Sequence, residues 1–356
     1  MSVIKKILLV FFCGVILCLC AFFSLAMLLP GASEAAEGSG KLPALIGENG
    51  INDAFGDEFE DWFSKNFAFR GKVVDLFADF KKDVFATGND QVVVGKDGFL
   101  FFADTVPCFT GTDPMTDEEI SSAAASLDAI RNRCGKDCDF LFVCAPDKNT
   151  VYPELMPPRY LQSGENGDLD RLLSALDELG VPYLDLRPTL IQAKQNALIY
   201  HKKDTHWNGV GAKAAFEAVC EKLGIAVPEF AGPTFTDDFE GDLDSLLYPG
   251  SVRTDSDAAY NFDGKFVYTT AVSTPMDLQI TARGGGEKDL VIFRDSFANA
   301  LIPFFASAAK SVRFERANPY RVEFITDDTD AVIVEIAERN LRDLCGCGER
   351  ITAAAE

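Results

Sequence analysis

The sequence predicts an α/β protein with a doubly wound, mainly parallel sheet, and two patterns lead to this fold class. Short uninterrupted apolar runs have the length of strands buried on both faces, and they occupy residues 139–144, 181–186, 290–293, 311–315 and 331–335. Amphipathic helical patterns alternate with these runs and occupy residues 116–133, 168–179, 208–223 and 298–309. The chain has 356 residues, 47% hydrophobic and 25% charged, which excludes collagen-like, disordered and many-spanning membrane proteins.

The N-terminus predicts a membrane-spanning helix that acts as a signal anchor. Residues 7–29 form an uncharged apolar stretch of 23 residues, enough helix to cross a hydrocarbon core of about 30 Å. Lys5 and Lys6 precede this stretch, so the positive-inside rule puts the rest of the chain outside the cytoplasm. We therefore expect an anchor at residues 1–30 and a linker at 31–44. Small residues just after the span leave cleavage and secretion open.

The rest of the chain, residues 45–350, is expected to form the α/β domain. A face of aromatic side chains predicts helix over residues 53–83. Two apolar runs that flank a Gly-Lys-Asp-Gly turn predict a hairpin over 91–94 and 99–102. Between about residues 240 and 287 the regular periods are lost, which indicates an irregular β insert with a hairpin of its own.

Helix ends are marked by capping residues. Thr116 and Glu119 form a capping box at the start of one helix. Asn208 suits the N-terminus of the helix that precedes Gly224, and Gly180 suits the end of another.

The net charge of the chain indicates which kinds of polymer the protein can bind. Thirty-three basic and 55 acidic residues give a net charge of −22, which argues against nucleic-acid binding because phosphate backbones are repelled. Without the two lysines that precede the span, the exported part has a net charge of −24. We therefore expect a neutral or cationic polymer to bind better than a polyanionic one.

Ten cysteines raise the question of a metal centre. Cys134 and Cys138, and also Cys345 and Cys347, are spaced in ways that metal ligands sometimes are. Because the chain has only two histidines and no CxxC pair, thiols or disulfides with a structural role are favoured. No metal or cofactor is predicted.

One candidate nucleophile follows a buried strand. Ser296 comes directly after the run 290–293 and just before a predicted helix. Strand ends of this kind collect active sites in doubly wound sheets, and a helix N-terminus favours negative charge on a serine oxygen. The alternative is that Asp295 or Ser296 only caps the helix.

A candidate base lies in a second loop. Asp204 stands two residues before His206, at the start of the helix that Asn208 caps. A carboxylate bonded to one imidazole nitrogen leaves the other free to take a proton from serine. With His201 as the other histidine of the chain, the acidic neighbour favours His206. The alternative is a solvated loop with a cap, in which Trp207 only packs.

Together the two motifs resemble a known family, the DHHW or alginate O-acetylation type of SGNH-like hydrolases. The resemblance spans about residues 45–345. It rests mainly on two motifs, Asp204-Thr205-His206-Trp207-Asn208-x-x-Gly211-Ala212 and Arg294-Asp295-Ser296-Phe297. Weaker matches are Val94-Gly95-Lys96-Asp97-Gly98, Ala145-Pro146-Asp147-Lys148 and Gly241-Asp242-Leu243.

The resemblance implies an SGNH-type, flavodoxin-like fold in which Ser296 is the nucleophile, His206 the general base and acid, and Asp204 the residue that orients the histidine. The sequence departs from the wider SGNH pattern because Arg294 stands where a glycine is usual, and no clear Gly or Asn block completes an oxyanion hole. The remaining candidates for oxyanion or substrate binding are Arg294, Asn149, Trp207 and Lys148.

The resemblance also implies the function. It predicts a membrane-anchored O-acetyltransferase or acetylesterase outside the cytoplasm, which acts on an exported polysaccharide beside a membrane-bound acyl-transfer partner protein. One alternative is a catalytically silent glycan-binding or scaffold component of a polysaccharide export complex. Another is a lipase or thioesterase, which would require an apolar acyl groove.

Overall fold

The computed structural model describes residues 42–47, 50–52, 54–66, 70–85, 88–164 and 166–347. It separates into two compact units: the smaller comprises the described residues up to Val84 with Tyr248–Val252, and the larger comprises Phe85–Leu247 and the described residues from Arg253 onward. No helix among the described residues is long and apolar enough to cross a membrane. The predicted anchor, residues 1–30, lies outside the described residues, as does nearly all of the linker.

The smaller unit has two short strands and two helices. These are β1 (Ile46–Gly47), β2 (Gly50–Ile51), α1 (Phe55–Asn66) and α2 (Arg70–Phe85). The helical structure predicted over residues 53–83 is present as α1 and α2, and residues 67–69 lie outside the described residues. The predicted aromatic face is present in α1, where the Phe59 ring stacks on Phe55 at 5.6 Å and lies 6.0 Å from Trp62.

The larger unit contains the other strands and helices. Its strands are β3 (Val92–Val94), β4 (Leu100–Phe102), β5 (Asp139–Ala145), β6 (Tyr183–Asp185), β7 (Ala231–Glu240), β8 (Thr254–Asn261), β9 (Phe266–Tyr268), β10 (Gln279–Gly284), β11 (Asp289–Phe293), β12 (Ser311–Glu315) and β13 (Ala331–Ala337). Its α-helices are α3 (Val106–Thr110), α4 (Asp117–Arg131), α5 (Lys148–Val151), α6 (Asp168–Leu179), α7 (Arg187–Ala193), α8 (Gly209–Leu223), α9 (Asp242–Leu247) and α10 (Ile302–Ala308).

A mixed sheet organises the larger unit. Among the described residues it has seven strands in the order β6-β5-β13-β11-β12-β10-β9. The pairings that join β6, β5, β13, β11 and β12 are parallel, and β10 and β9 are added antiparallel at one edge. The α/β fold class is confirmed, with a mixed sheet.

Both faces of the sheet are covered, because successive side chains of a strand point to opposite faces. In β13, Ile333 packs into a core with α8 and α10, while Val332 and Val334 pack into a second core with α4 and α6. This two-sided burial is the reason why the central strands are uninterrupted apolar runs.

Two details differ from the sequence-based expectation. The hairpin of the predicted insert forms as β9 and β10, but it extends the main sheet through the pairing of β10 with β12. The strand β7 begins at Ala231, ahead of the expected start of the insert, and forms a separate ribbon with β8. Antiparallel edge strands with polar residues carry a weak sequence signal, which explains the difference.

Candidate active site

Ser296, His206 and Asp204 form a hydrogen-bonded chain at the carboxyl end of the parallel strands. His206 Nε2 lies 2.9 Å from Ser296 Oγ, and His206 Nδ1 lies 2.7 Å from Asp204 Oδ1. Since the carboxylate only accepts, Nδ1 carries the proton and Nε2 accepts from the serine hydroxyl. Asp204 is buried, whereas His206 and Ser296 are partly exposed. The two loops, 90 residues apart in sequence, therefore meet.

The Asp204 carboxylate is held in its ionised form. Oδ1 also accepts the backbone N–H of His206 at 2.8 Å, and Oδ2 accepts the N–H of Asp242 at 2.9 Å. Burial raises the pKa of Asp204, but these hydrogen bonds and the histidine outweigh it and hold the pKa well below its usual range. The carboxylate is therefore available to stabilise a protonated His206.

Asp242 stabilises the loop that contains Asp204 and His206, which we call the histidine loop. Its carboxylate accepts the backbone N–H of Thr205 at 2.8 Å and the Thr205 hydroxyl at 2.6 Å. The preceding Gly241 must be a glycine, because a Cβ there would lie 2.2 Å from the carbonyl oxygen of Lys203. The Gly-Asp-Leu motif thus fits closely under the histidine loop. The sequence places Asp242 in the Gly-Asp-Leu motif of the family resemblance but gives it no role, since one acid among 55 carries no signal by itself.

Lys148 supports the same loop from the end of β5. Its buried Nζ donates to the carbonyl oxygens of His201, Lys202 and Asp204 at 3.0, 3.1 and 2.6 Å. Burial lowers the pKa of Lys148 to about 7. Because its three N–H bonds go to the backbone, Lys148 positions the loop, and it is not among the residues that line the cavity at Ser296.

The remaining predicted candidates near the loops also have structural partners. The buried Trp207 donates its indole N–H to the carbonyl oxygen of Phe297 at 3.0 Å, which joins the histidine loop to the serine loop. Asn149 is buried and donates to Thr105, at 2.9 Å to the hydroxyl. Asn149 is not among the residues that line the cavity at Ser296.

The turn after Ser296 differs from the prediction of a helix directly behind the serine. Phe297–Leu301 is a 3₁₀ turn, and the α-helix α10 begins only at Ile302. In a 3₁₀ turn, the side chains of residues i and i+3 lie on the same side. Asn299, three residues after Ser296, therefore lies on the same side of the turn as Ser296, and both residues line the same cavity.

Arg294 fixes the orientation of Asn299. Its guanidinium donates to Asn299 Oδ1 at 2.6 Å, which leaves the amide NH₂ group beside Met276 Sδ, 2.9 Å away. Arg294 also donates to the carbonyl oxygens of Pro275 and Asp277 at 2.6 and 3.1 Å. Burial lowers the pKa of Arg294 to about 10. The arginine thus orders the loop at Met276 and turns the Asn299 donors toward the cavity.

Asp295 anchors the serine loop to β13. Its Oδ1 accepts the N–H of Phe297 at 2.8 Å, and its Oδ2 accepts the N–H of Ala337 at 2.8 Å and the side-chain amide of Asn340 at 2.9 Å. The alternative in which Asp295 caps the following turn is therefore correct for Asp295, while the Ser296 side chain makes no cap hydrogen bond.

The hydrogen-bonded chain opens into a large cavity of about 790 Å³. Ser296 and His206 lie in its wall, and Asn299, Arg316 and Arg339 also line it. The other lining residues are largely apolar or aromatic, and several of them lie on the β7–β8 ribbon, the 3₁₀ turn and α10. The volume falls in the range of sites that hold drug-sized ligands.

The same acids and histidine are the one group of metal-type donors within the described residues. Ligand atoms of Asp204, His206 and Asp242 lie within 4.8 Å of one another. These three side chains are already engaged in hydrogen bonds within the site.

Residues 92–251 match the SGNH hydrolase-like domain of the acetyltransferase AlgX. The predicted family resemblance is confirmed. This match contains Asp204, His206 and Asp242.

Curated relatives match part of the chain. The chain is 28% identical over 201 residues to the "probable alginate O-acetylase AlgJ" of Pseudomonas aeruginosa, covering 56% of this chain and 47% of the relative. A protein of the same name from Azotobacter vinelandii is 22% identical over 207 residues, 55% of this chain and 52% of the relative. The chain thus spans about half the length of the curated relatives that it matches.

Solved structures share the fold of this chain. A DHHW family protein from Eubacterium siraeum superposes with a TM-score of 0.56 at 18% identity, over 74% of this chain and 96% of the other. The O-acetyltransferase domain of Pseudomonas putida AlgJ gives 0.51 at 15%, over 73% and 99%. PatB1 of Bacillus cereus gives 0.54 at 18%, over 71% and 97%.

Proposed function

We propose that this protein is an extracytoplasmic, membrane-anchored O-acetyltransferase or acetylesterase that acts on a cell-surface or exported polysaccharide. The observation that carries the proposal is the unbroken chain of short hydrogen bonds, 2.9 and 2.7 Å long, from Ser296 through His206 to Asp204 at the mouth of a cavity. Both distances lie in the range that a general base needs.

The reaction runs in two half-reactions. Ser296 Oγ attacks the ester carbonyl, forming the Oγ–acyl bond while its proton moves to His206 Nε2. The bond to the leaving oxygen breaks, and His206 returns that proton to the leaving group. A sugar hydroxyl or water then attacks the acyl-serine, gives its proton to His206, and the Oγ–acyl bond breaks as Ser296 regains a proton. Asp204 stabilises the imidazolium in both halves.

The 3₁₀ turn that begins after Ser296 places two hydrogen-bond donors that could form an oxyanion hole. We assign the backbone N–H of Ser296 as one donor and the side-chain NH₂ of Asn299 as the second. Arg294 holds the amide oxygen away from the cavity at 2.6 Å, and the thioether that Nδ2 now faces is a weak acceptor. A developing oxyanion is a much better acceptor, so it displaces this contact at little cost.

The polysaccharide substrate, the acyl-transfer partner and the anchor are parts of the same proposal. The names of the AlgJ relatives refer to alginate O-acetylation, and residues 7–29 have the length and composition of a span. A membrane-bound acyl donor outside the cytoplasm would have to bring the acetyl group to Ser296.

The test is hydrolysis of p-nitrophenyl acetate by the purified full-length protein. Ser296→Ala is expected to abolish release of p-nitrophenol, and Ser174→Ala, an exposed serine on α6, is the matched control that keeps it. Equal rates in the parent and Ser296→Ala would remove the serine mechanism. Glycan binding without any turnover in the parent would favour the silent binding protein.

A further inference from the structure

The cavity beside Ser296 has an aromatic lining made of Phe239, Tyr260, Phe262 and Phe304. The Phe304 ring centroid lies 4.9 Å from that of Phe262 and 5.5 Å from that of Tyr260, both edge-to-face. Phe239 stacks flat on His201 at 3.8 Å. The phenol oxygen of Tyr260 is the one polar side-chain atom that these four residues contribute, so this lining is hydrocarbon in character.

The β7–β8 ribbon supplies much of this lining. Phe239 lies on β7, Tyr260 on β8, and Phe262 directly follows β8. The pairing shifts register between Thr236 and Phe239, and a shift of this kind redirects side chains. The β7–β8 ribbon therefore shapes the cavity through the side chains that it supplies to the lining.

Two polar side chains on this part of the cavity, His201 and Asp257, contact each other and the neighbouring backbone. His201 Nδ1 lies 3.1 Å from the carbonyl oxygen of Ser256. Asp257 Oδ1 accepts the N–H of Ala258 at 2.7 Å and lies 3.5 Å from His201 Nε2. A sugar ring would bring several hydroxyls here, and burying hydroxyls without partners is unfavourable. A hydrocarbon chain brings none.

We propose that the aromatic lining binds the chain of an acyl group longer than acetyl, so that Ser296 accepts medium-chain acyl esters as well as acetyl esters. The acyl carbon must bond to Ser296 Oγ, which opens into the cavity, and a volume of about 790 Å³ far exceeds what one methyl group fills. This inference rests on the proposed acyl transfer through Ser296, and its balanced steps are those given above.

The first test is a series of p-nitrophenyl esters of acetate, butyrate, hexanoate and octanoate with the full-length protein. We expect kcat/KM to rise from acetate to hexanoate by up to about 4-fold for each added methylene group, which corresponds to about 0.8 kcal/mol per buried CH₂. A profile that is flat or falls from acetate onward would overturn the inference.

Paired variants locate the chain in the cavity. Ala300, in the 3₁₀ turn, lines the cavity, and Ala300→Leu should lower the hexanoate-to-acetate ratio of kcat/KM at least about 10-fold by filling that space. Ala259→Phe, at an exposed lining position on β8, should lower the ratio in the same direction and disturbs no buried contact. Ala226→Leu, exposed and outside the cavity lining, should leave the ratio unchanged. An unchanged ratio in both lining variants would contradict the inference.

A binding measurement separates this inference from the proposed function. Methyl hexanoate and methyl acetate are titrated calorimetrically into Ser296→Ala, which needs no turnover. Tighter binding of methyl hexanoate supports binding of the acyl chain by the aromatic lining even if the parent hydrolyses nothing, in which case the transfer to Ser296 fails together with the proposed function. Equal binding of the two esters, in a parent that hydrolyses acetate, overturns the inference and leaves the proposed function standing.

Discussion

Asn299→Ala tests the proposed oxyanion hole most sharply. In the parent, Arg294 holds the Asn299 oxygen at 2.6 Å and the NH₂ group lines the cavity beside Ser296. The variant removes that donor and leaves the backbone N–H of Ser296 as the remaining one. Loss of one such donor lowers kcat by about 10²–10³-fold, or about 2.7–4 kcal/mol of transition-state stabilisation.

Loss of the Asn299 donor should lower kcat and leave KM nearly unchanged. The donor faces charge that develops only in the transition state, so kcat should fall while KM stays within about 3-fold. Arg294 keeps its contacts with Asp295, Pro275 and Asp277, so the loop should remain ordered. Asn299→Asp retains the contact with Arg294 but puts negative charge near the oxyanion, and its kcat should fall further than that of the alanine variant.

The assay is steady-state hydrolysis of p-nitrophenyl acetate with a matched control. Asn132→Ala removes an exposed amide, outside the cavity lining, that donates to Asp128, and it should keep the parent kcat. The reasoning is refuted if Asn299→Ala keeps kcat within about 3-fold of the parent while Ser296→Ala is inactive. A rise in KM with unchanged kcat would instead assign Asn299 to ground-state binding.

Two further predictions concern the acids. Asp204→Asn should lower kcat by about 10⁴-fold, because an amide cannot accept all the N–H groups of His206 and Asp242; full activity in steady-state assays would exclude the orienting role. Burial raises the pKa of Glu338 to about 7. The native state therefore binds more protons than the unfolded chain between about pH 4 and 7, and the free energy of unfolding should fall as pH rises through that window. Glu338→Gln should flatten this fall in urea unfolding measured at pH 5 and 8, whereas Glu118→Gln, exposed on α4, should not; parallel slopes in all three proteins would contradict it.

The sheet could be predicted because its central strands are buried on both faces. Apolar runs with no alternation marked β5, β11 and β13, and local capping marked α4, where Thr116 and Glu119 form the predicted capping box. The N-cap of α8 is Asn208, which accepts from Val210 and Gly211. These features depend on contacts that are near in sequence, so a single chain suffices to find them.

The sequence identified site residues only where neighbouring residues together suggest a catalytic function. The acid two residues before His206 identified one loop, and a serine after a buried strand identified the other. Lys148 could not be assigned, because nothing local shows that its partners are three carbonyl groups of a distant loop. Asn299 was missed because the sequence reads as regular helix, whereas a 3₁₀ turn brings it beside Ser296.

The aromatic lining could not be read from the sequence either. Phe239 and Tyr260 lie on polar, partly exposed strands, and their meeting with Phe304 depends on how the ribbon packs. Of the functions considered from sequence alone, the lipase or thioesterase needed an apolar acyl groove. The lining supplies such a surface beside Ser296, and for this reason acyl chain length deserves direct measurement.

The central claim is that Ser296 forms a covalent acyl intermediate. The direct measurement is peptide mass spectrometry of the full-length protein after brief incubation with p-nitrophenyl acetate, with Ser296→Ala as the control. The account predicts one acetyl group on the peptide that contains Ser296 in the parent, and none on that peptide in the variant. Turnover of the ester with no acetyl group at Ser296, or labelling that persists in the variant, would contradict it.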